Sequence, residues 1–155
     1  MTTYGLKYDK ALSTTEIAKR LRQDVKAARE NGELPRELRL SVKTKYFSQG
    51  SSIDVSIVAW PDNLLIFDPE RIILEHDNPA TFHDETNNPI YTAEGLALIR
   101  KLEGMLRVFN FDGSQPQSDY FHVNFYGSVT VDWEAAKLLR EKILQEHASK
   151  GGVGK

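Results

Sequence analysis

Apolar residues recur every three or four positions in three segments of the chain, which is the spacing of an amphipathic helix with one buried face. The first segment is the best delimited, because Ser13 and Glu16 stand three residues apart as a capping box and Asn31-Gly32 supplies a stop. Its predicted buried stripe is Ile17, Ala18, Leu21, Val25 and Ala28. The pattern predicts helices over residues 14–31, 92–108 and 133–147.

The other two helices are each preceded by a side chain that can cap a helix, Thr92 and Asp132. The apolar stripe of the second is Leu96, Ile99, Leu102, Met105 and Leu106. The third is apolar at Trp133, at Leu138 or Leu139, at Ile143 and at Leu144. Both helices are therefore expected to bury one side against a core.

In three further segments the apolar period is two, which predicts strands over residues 38–47, 52–60 and 120–131. Ser48-Gln49-Gly50-Ser51 is suited to a hairpin turn between the first two strands. Such a hairpin places Asp54 opposite Lys43 or Lys45. The side chains expected to point inward from the second strand are Ile53, Val55 and Ile57.

This order of elements predicts an α+β fold, with about three antiparallel strands and the helices packed on one face of the sheet. A length of 155 residues suits one domain, which we expect over residues 1–148. Residues 61–94 form a long insertion in that domain, with short apolar runs at 64–67 and 71–74. The glycine-rich residues 149–155 are expected to be a flexible tail.

The net charge of −2 conceals an uneven distribution, because residues 61–94 hold eight acidic residues and a single basic one, Arg71. Two interpretations follow: a solvated surface loop, or an acidic surface that docks on a basic partner. The candidate docking residues are Asp68, Glu70, Glu75, Asp77, Asp84 and Glu85.

Composition excludes several classes of protein. No stretch approaches the roughly 20 apolar residues of a membrane span, and the first residues lack the apolar core of a signal peptide. The chain has no cysteine, so it has no disulfide framework and no thiol nucleophile. We therefore expect a soluble cytoplasmic protein without a membrane partner.

Two groups of side chains have the chemistry of a metal or acid–base site. Asp112, Asp119 and His122 lie within eleven residues, and His76 and His83 stand beside Asp77 and Asp84. The simpler interpretation assigns these residues to turns, strand caps and solvated loops. Phosphate-loop, dinucleotide-binding, zinc-protease and nucleophile-elbow motifs are missing from the sequence. The expectation is a non-enzymatic protein without catalytic residues, metal or cofactor.

The outward face of the predicted sheet combines cations with aromatic rings, as single-strand binders do. It consists of Arg39, Lys43, Lys45, Tyr120, His122, Asn124 and Tyr126. An ordinary wet surface, a nucleic-acid platform and a protein-binding face are all compatible with this set. The pI of about 6.1 and the acidic segment oppose the approach of phosphates.

Three pieces of the sequence, STTEIAKRLR (13–22), KYFSQGSSIDVSIV (45–58) and FNFDGSQPQSDYFHVNFYGSV (109–129), resemble the large polyvalent-protein-associated domain 29 type. The resemblance covers roughly residues 12–60 and 92–132, and the acidic segment departs from it. It implies origin in a phage or other mobile element and a role around incoming DNA or host defence. It carries over no catalytic set.

Three hypotheses for function follow. The first is a non-enzymatic interaction protein of a mobile element, in its most specific form a counter-defence inhibitor, whose acidic segment docks on a basic, nucleic-acid-handling protein. The second is a nucleic-acid-binding module that uses the polar sheet face. The third is a metal-assisted enzyme that uses Asp112, Asp119 and His122.

Overall fold

The structure is a computed structural model that describes residues 3–48, 50–77, 90–112 and 125–153. The predicted α+β class is confirmed: the described residues form four helices and a three-stranded sheet. The elements in chain order are β1 (Thr3–Tyr4), α1 (Thr14–Glu30), β2 (Arg39–Phe47), β3 (Gly50–Ala59), α2 (Pro69–Asp77), α3 (Ala93–Arg107), β4 (Phe111–Asp112), β5 (Tyr126–Val131) and α4 (Trp133–Val153).

The three-stranded sheet has the order β2-β3-β5, and a separate two-stranded sheet pairs β1 with β4. β2 and β3 form the predicted antiparallel hairpin, with Asp54 opposite Lys43. Ile53, Val55 and Ile57 are buried as predicted, so the inner face of β3 is the apolar one. The sheet as a whole is mixed, not antiparallel throughout as predicted. The long chain between β3 and β5 permits this, since only a short turn obliges neighbouring strands to be antiparallel.

α1 closely matches its prediction. The Ser13 hydroxyl accepts a hydrogen bond from the Glu16 amide at 3.1 Å, and the predicted stripe is buried over its whole length. The helix ends at Glu30, with Asn31 as its cap and Gly32 at a φ of +85°, a left-handed conformation that suits glycine. α1 contacts both β2 and β3.

Segment 61–94 was predicted as a long insertion with no helix assigned to it, and the structure places α2 there. Asp68 begins this helix, because its side chain accepts a hydrogen bond from the Glu70 amide at 3.1 Å. Pro69 follows at the first helical position, where a proline costs no hydrogen bond. With nine residues and one buried position, Ile72, the helix is too short to show a clear period in the sequence.

The end of α4 and its buried stripe differ from the predictions. α3 begins after Thr92 as predicted, whereas α4 extends past His147 to Val153. In α4, Ile143 is buried and Leu139 half-buried, but Leu138 is exposed and Trp133 is 72% exposed. Trp133 was predicted to be buried because it is apolar. It is the first residue of the helix, and at that position its ring stays exposed.

The chain divides into two compact units. Unit 1 comprises residues 1–61 and 99–130, and unit 2 comprises residues 62–98 and 131–155. Unit 1 contains 14 Lys and Arg against 10 Asp and Glu, a net charge of +4; unit 2 contains 6 against 12, a net charge of −6. Each unit has its own buried apolar residues, among them Ile17, Leu21 and Ile53 in unit 1 and Ile66, Phe67 and Ile72 in unit 2.

The N-terminus of α3 approaches the chain at Ile66 so closely that only glycine fits at position 95. The Thr92 amide donates to the Ile66 carbonyl at 2.9 Å, and the Thr92 hydroxyl accepts from the Gly95 amide at 2.9 Å. A Cβ atom on Gly95 would lie 2.4 Å from the Ile66 carbonyl oxygen, which belongs to the backbone. This contact is internal to unit 2 and anchors the start of α3 there.

We predict opposite effects of two alanine substitutions in α3. Gly95→Ala should lower the free energy of unfolding by about 1 to 3 kcal/mol, because the backbone at Ile66 must move. Gly104→Ala should raise it by about 0.5 to 1 kcal/mol, because a Cβ there meets nothing within 4 Å and alanine favours the helix. Urea unfolding midpoints measure both. Equal shifts in the same direction would contradict the close approach.

Candidate binding surfaces

The outer face of the three-stranded sheet belongs to unit 1 and is polar. Lys43 and Lys45 are exposed on β2 and alternate with the side chains that face inward, as the sequence predicted. Arg39 is also exposed, but a register irregularity between Arg39 and Leu40 interrupts the alternation there. Tyr126 is exposed on β5. The other three residues predicted for this face, Tyr120, His122 and Asn124, lie outside the described residues.

An aromatic pair stands at the hairpin end of this outer face. Phe47 and Tyr126 stack with ring centroids 6.0 Å apart and an interplanar angle of 28°. Gly50 lies beside both rings, and a Cβ on it would be 3.7 Å from Tyr126 and 3.8 Å from Phe47. Both rings stay accessible, since Phe47 is 47% exposed and Tyr126 45% exposed. They are thus available to stack with a flat ligand.

Phe47 was missed at the sequence level, although a signal for it exists. The period of two that places Lys43 and Lys45 on the outer face also places Phe47 there, at the end of β2. The ring is exposed because Phe47 is the last residue of β2, at the hairpin end, where Tyr126 covers only part of it.

One carboxylate moderates the positive charge of the outer face. Asp54 lies opposite Lys43, and its Oδ2 is 4.0 Å from the Lys45 Nζ. The Ser128 hydroxyl of β5 donates to Asp54 Oδ1 at 2.9 Å. A surface ion pair of this kind contributes at most about 1 kcal/mol, so Lys45 can exchange Asp54 for an incoming anion at small cost.

Tyr46 lies on the other side of β2 and connects the hairpin to α1. The period of two along β2 places it on the inward face with Leu40 and Val42, and its hydroxyl reaches α1, yet it is 62% exposed. Its hydroxyl oxygen accepts from the Thr15 amide at 3.1 Å and lies 2.8 Å from the Thr15 hydroxyl. These two hydrogen bonds lower the pKa of Tyr46 below its ordinary value of 10.0.

The predicted acidic docking residues have different environments. Asp68 caps α2, and Glu75 lies 3.8 Å from the Arg140 guanidinium of α4, so part of their charge is already engaged. Glu70 and Asp77 are exposed, have no cation within 4.0 Å among the described residues, and share one face of α2 because they are seven residues apart. Asp84 and Glu85 lie outside the described residues.

A third side chain completes this face of α2. Leu74 stands four residues after Glu70 and three before Asp77, which places it between the two carboxylates. It is 49% exposed. An apolar residue flanked by two carboxylates that have no cation in reach among the described residues is suited to a partner whose surface is basic around an apolar centre.

The predicted metal or acid–base candidates are not brought together in the part of the chain that the structure describes. Asp112 pairs through its backbone with Thr3, while Asp119, His122, His83 and Asp84 lie outside the described ranges. Within those ranges, no three His, Asp or Glu side chains stand close enough to hold a metal ion. Nor is any described helix both long and apolar enough to cross a membrane.

The titration of Tyr46 tests its contact with α1. The absorbance difference between the wild-type protein and Tyr46→Phe should report a tyrosine with a midpoint below pH 10. Thr15→Ala should raise that midpoint only part of the way, because the Thr15 amide still donates. Since the folded protein favours the tyrosinate, this contact adds stability as the pH rises through the folded-state pKa towards 10, and adds none well below it. A midpoint at or above 10 would contradict the contact.

Comparison with known proteins adds no relative: no family model, no curated protein and no solved structure matches the chain. The resemblance to the large polyvalent-protein-associated domain 29 type therefore stays a prediction.

Proposed function

We propose that the protein is a binding protein for single-stranded nucleic acid, and that the outer face of its three-stranded sheet is the binding surface. The observation that carries the proposal is the exposed stack of Phe47 and Tyr126 on the same face as Lys43 and Lys45. Single strands expose the faces of their bases, which stack on aromatic rings, and their phosphates pair with cations.

The charge distribution supports this choice. Unit 1 has a net charge of +4 even though the whole chain has a charge of −2. At physiological salt the Debye length is about 8 Å, so a phosphate at the outer face responds mainly to the charges around it and not to the net charge of the chain. The low pI is thus a weaker objection than the sequence alone suggests.

A specific observation also favours a second candidate, the docking of α2 on a basic protein. The face formed by Glu70, Leu74 and Asp77 presents two carboxylates without a cation in reach in the described part of the chain, and an apolar side chain between them. In this proposal the protein is an interaction protein, and a counter-defence inhibitor of a mobile element is its most specific form. Glu75 is no longer part of the surface, because it pairs with Arg140.

Both candidates act by binding and need no cofactor. We propose the cytoplasm as the place of action, since a chain without cysteine suits a reducing compartment.

Removal of the aromatic pair tests the first candidate. Phe47→Ala and Tyr126→Ala should each weaken binding of a fluorescent dT12 oligonucleotide by about 1 to 3 kcal/mol, or about 5- to 150-fold in Kd. Fluorescence anisotropy at low salt measures the Kd. Trp133→Ala is the matched control, because it removes an exposed ring from unit 2 and should leave the Kd unchanged. If wild-type protein fails to bind dT12 at low salt, the proposal is wrong.

Neutralisation of the acidic face tests the second candidate. A lysine-rich peptide with leucine at its centre serves as the probe, and calorimetry at two salt concentrations measures its affinity. Glu70→Gln with Asp77→Gln should weaken binding, and Leu74→Ala should weaken it independently of salt. Glu134→Gln with Glu141→Gln changes the charge of unit 2 equally but elsewhere, on α4. Equal losses in both double variants would show a response to net charge and not to this face.

A further inference from the structure

A cationic groove lies between the end of α1 and the start of β2. Its volume is about 490 Å³. Four of its five lining residues are cations, Lys26, Arg29, Arg36 and Arg39, and the fifth is Glu30. All five belong to unit 1, so the groove lies within one compact unit.

Two of the guanidinium groups are held in place by a single backbone oxygen. The Leu38 carbonyl accepts from Arg29 Nη1 at 2.8 Å and from Arg39 Nη1 at 2.9 Å. Arg39 Nη1 also donates to the Arg36 carbonyl at 2.6 Å. A guanidinium has five N–H donors, so each of these two side chains is oriented by backbone oxygens while most of its donors still point elsewhere.

The charge of the groove is not neutralised within the described part of the chain. Neither Lys26, Arg29, Arg36 nor Arg39 has a carboxylate oxygen within 4.0 Å there. A carbonyl that accepts a hydrogen bond orients an arginine but leaves its unit charge in place. The groove thus concentrates four cations, two of them preoriented, around one carboxylate, which favours an anion with several oxygens.

We infer that this groove binds phosphate groups. In the complex with single-stranded nucleic acid, it binds the phosphodiester backbone of the nucleotides that extend beyond the sheet. Arg39 connects the two surfaces, because it belongs to β2, the strand that presents Lys43 and Lys45, and also lines the groove. That these phosphates belong to single-stranded nucleic acid rests on the proposed function, whereas the affinity of the groove for phosphate oxygens does not.

The length of β2 determines how long an oligonucleotide must be to reach both the outer face and the groove. Phe47 and Arg39 are eight residues apart, which is about 26 Å at about 3.3 Å per residue. At the stacked rise of about 3.4 Å per nucleotide, this distance corresponds to about eight nucleotides. A dT12 strand is therefore long enough to stack on Phe47 and to enter the groove.

Lys26 and Arg36 are the positions to change, because both are exposed and neither side chain donates a hydrogen bond to the described chain. Lys26→Gln with Arg36→Gln removes two cations and leaves the Arg29 and Arg39 bonds to Leu38 intact. Lys10→Gln with Lys19→Gln is the matched control: it changes the charge of unit 1 equally but outside the groove. Melting temperatures of both variants should equal that of the wild-type protein.

The first measurement is the dependence of dT12 affinity on salt. Removal of two phosphate contacts should reduce the slope of log K against log salt by about 1.4, since each phosphate of a single strand contributes about 0.7. The control variant and Phe47→Ala should keep the wild-type slope, although the latter weakens binding. A wild-type slope in the groove variant, with dT12 still bound, would overturn the inference and leave the proposed function standing.

The second measurement uses inorganic pyrophosphate, which has no base to stack. Backbone amide shifts around Arg29 and Arg39 should move on titration at low salt, and the groove variant should lose this response while the control retains it. If pyrophosphate shifts these amides but dT12 fails to bind, the groove is a site for free phosphoanions and the proposed function is wrong. If pyrophosphate produces no shift there, the groove does not bind phosphate.

Discussion

The pairing register of β2 with β3 determines which side chains this protein presents to solvent. Because successive side chains of a strand alternate between faces, a slip of one residue would either expose Ile53, Val55 and Ile57 or bury the lysines of β2. α1 holds this register along the whole hairpin. The Thr14 and Ser51 hydroxyls form a buried hydrogen bond of 2.6 Å, and Arg22 donates to the Val42 carbonyl at 2.7 Å. The packing of α1 on the inner face of the sheet therefore determines that Phe47 and Tyr126 point outward.

The charge of the chain is segregated by unit, which changes how its acidity should be understood. An overall charge of −2 suggests a protein that repels nucleic acid, but the two units differ by ten charges. Since screening limits a surface charge to about a Debye length, two surfaces of opposite sign can each recognise a different partner. The same chain can then have both a phosphate-binding surface in unit 1 and an acidic docking face on α2.

The extent to which the sequence predicts this structure depends on how local each signal is. α1 and the hairpin were predictable because their caps, periods and turn are encoded within a few residues. α2 was not, because its nine residues show one buried position and lie among proline and asparagine signals. The outward position of the Phe47 side chain could have been predicted from the period of two along β2. The cationic groove has no such signal, since Lys26 and Arg36 meet only when the loop after α1 returns the chain to β2.

The arginines of α1 connect the stability of the fold to the charge of its surface. Within the described residues β2 is an outermost strand of its sheet, so its outward carbonyls need partners other than a further strand. Arg22 donates to the Val42 carbonyl of β2, and Arg29 donates to the carbonyl of Leu38, the residue before β2; neither hydrogen bond neutralises the charge of its arginine. Carboxylates in the same role would have made the edge acidic, and they cannot donate to a carbonyl. These hydrogen bonds therefore leave the arginines charged beside the edge. Without a neutralising carboxylate in the described part of the chain, the groove adds the two further cations Lys26 and Arg36 to Arg29 and Arg39.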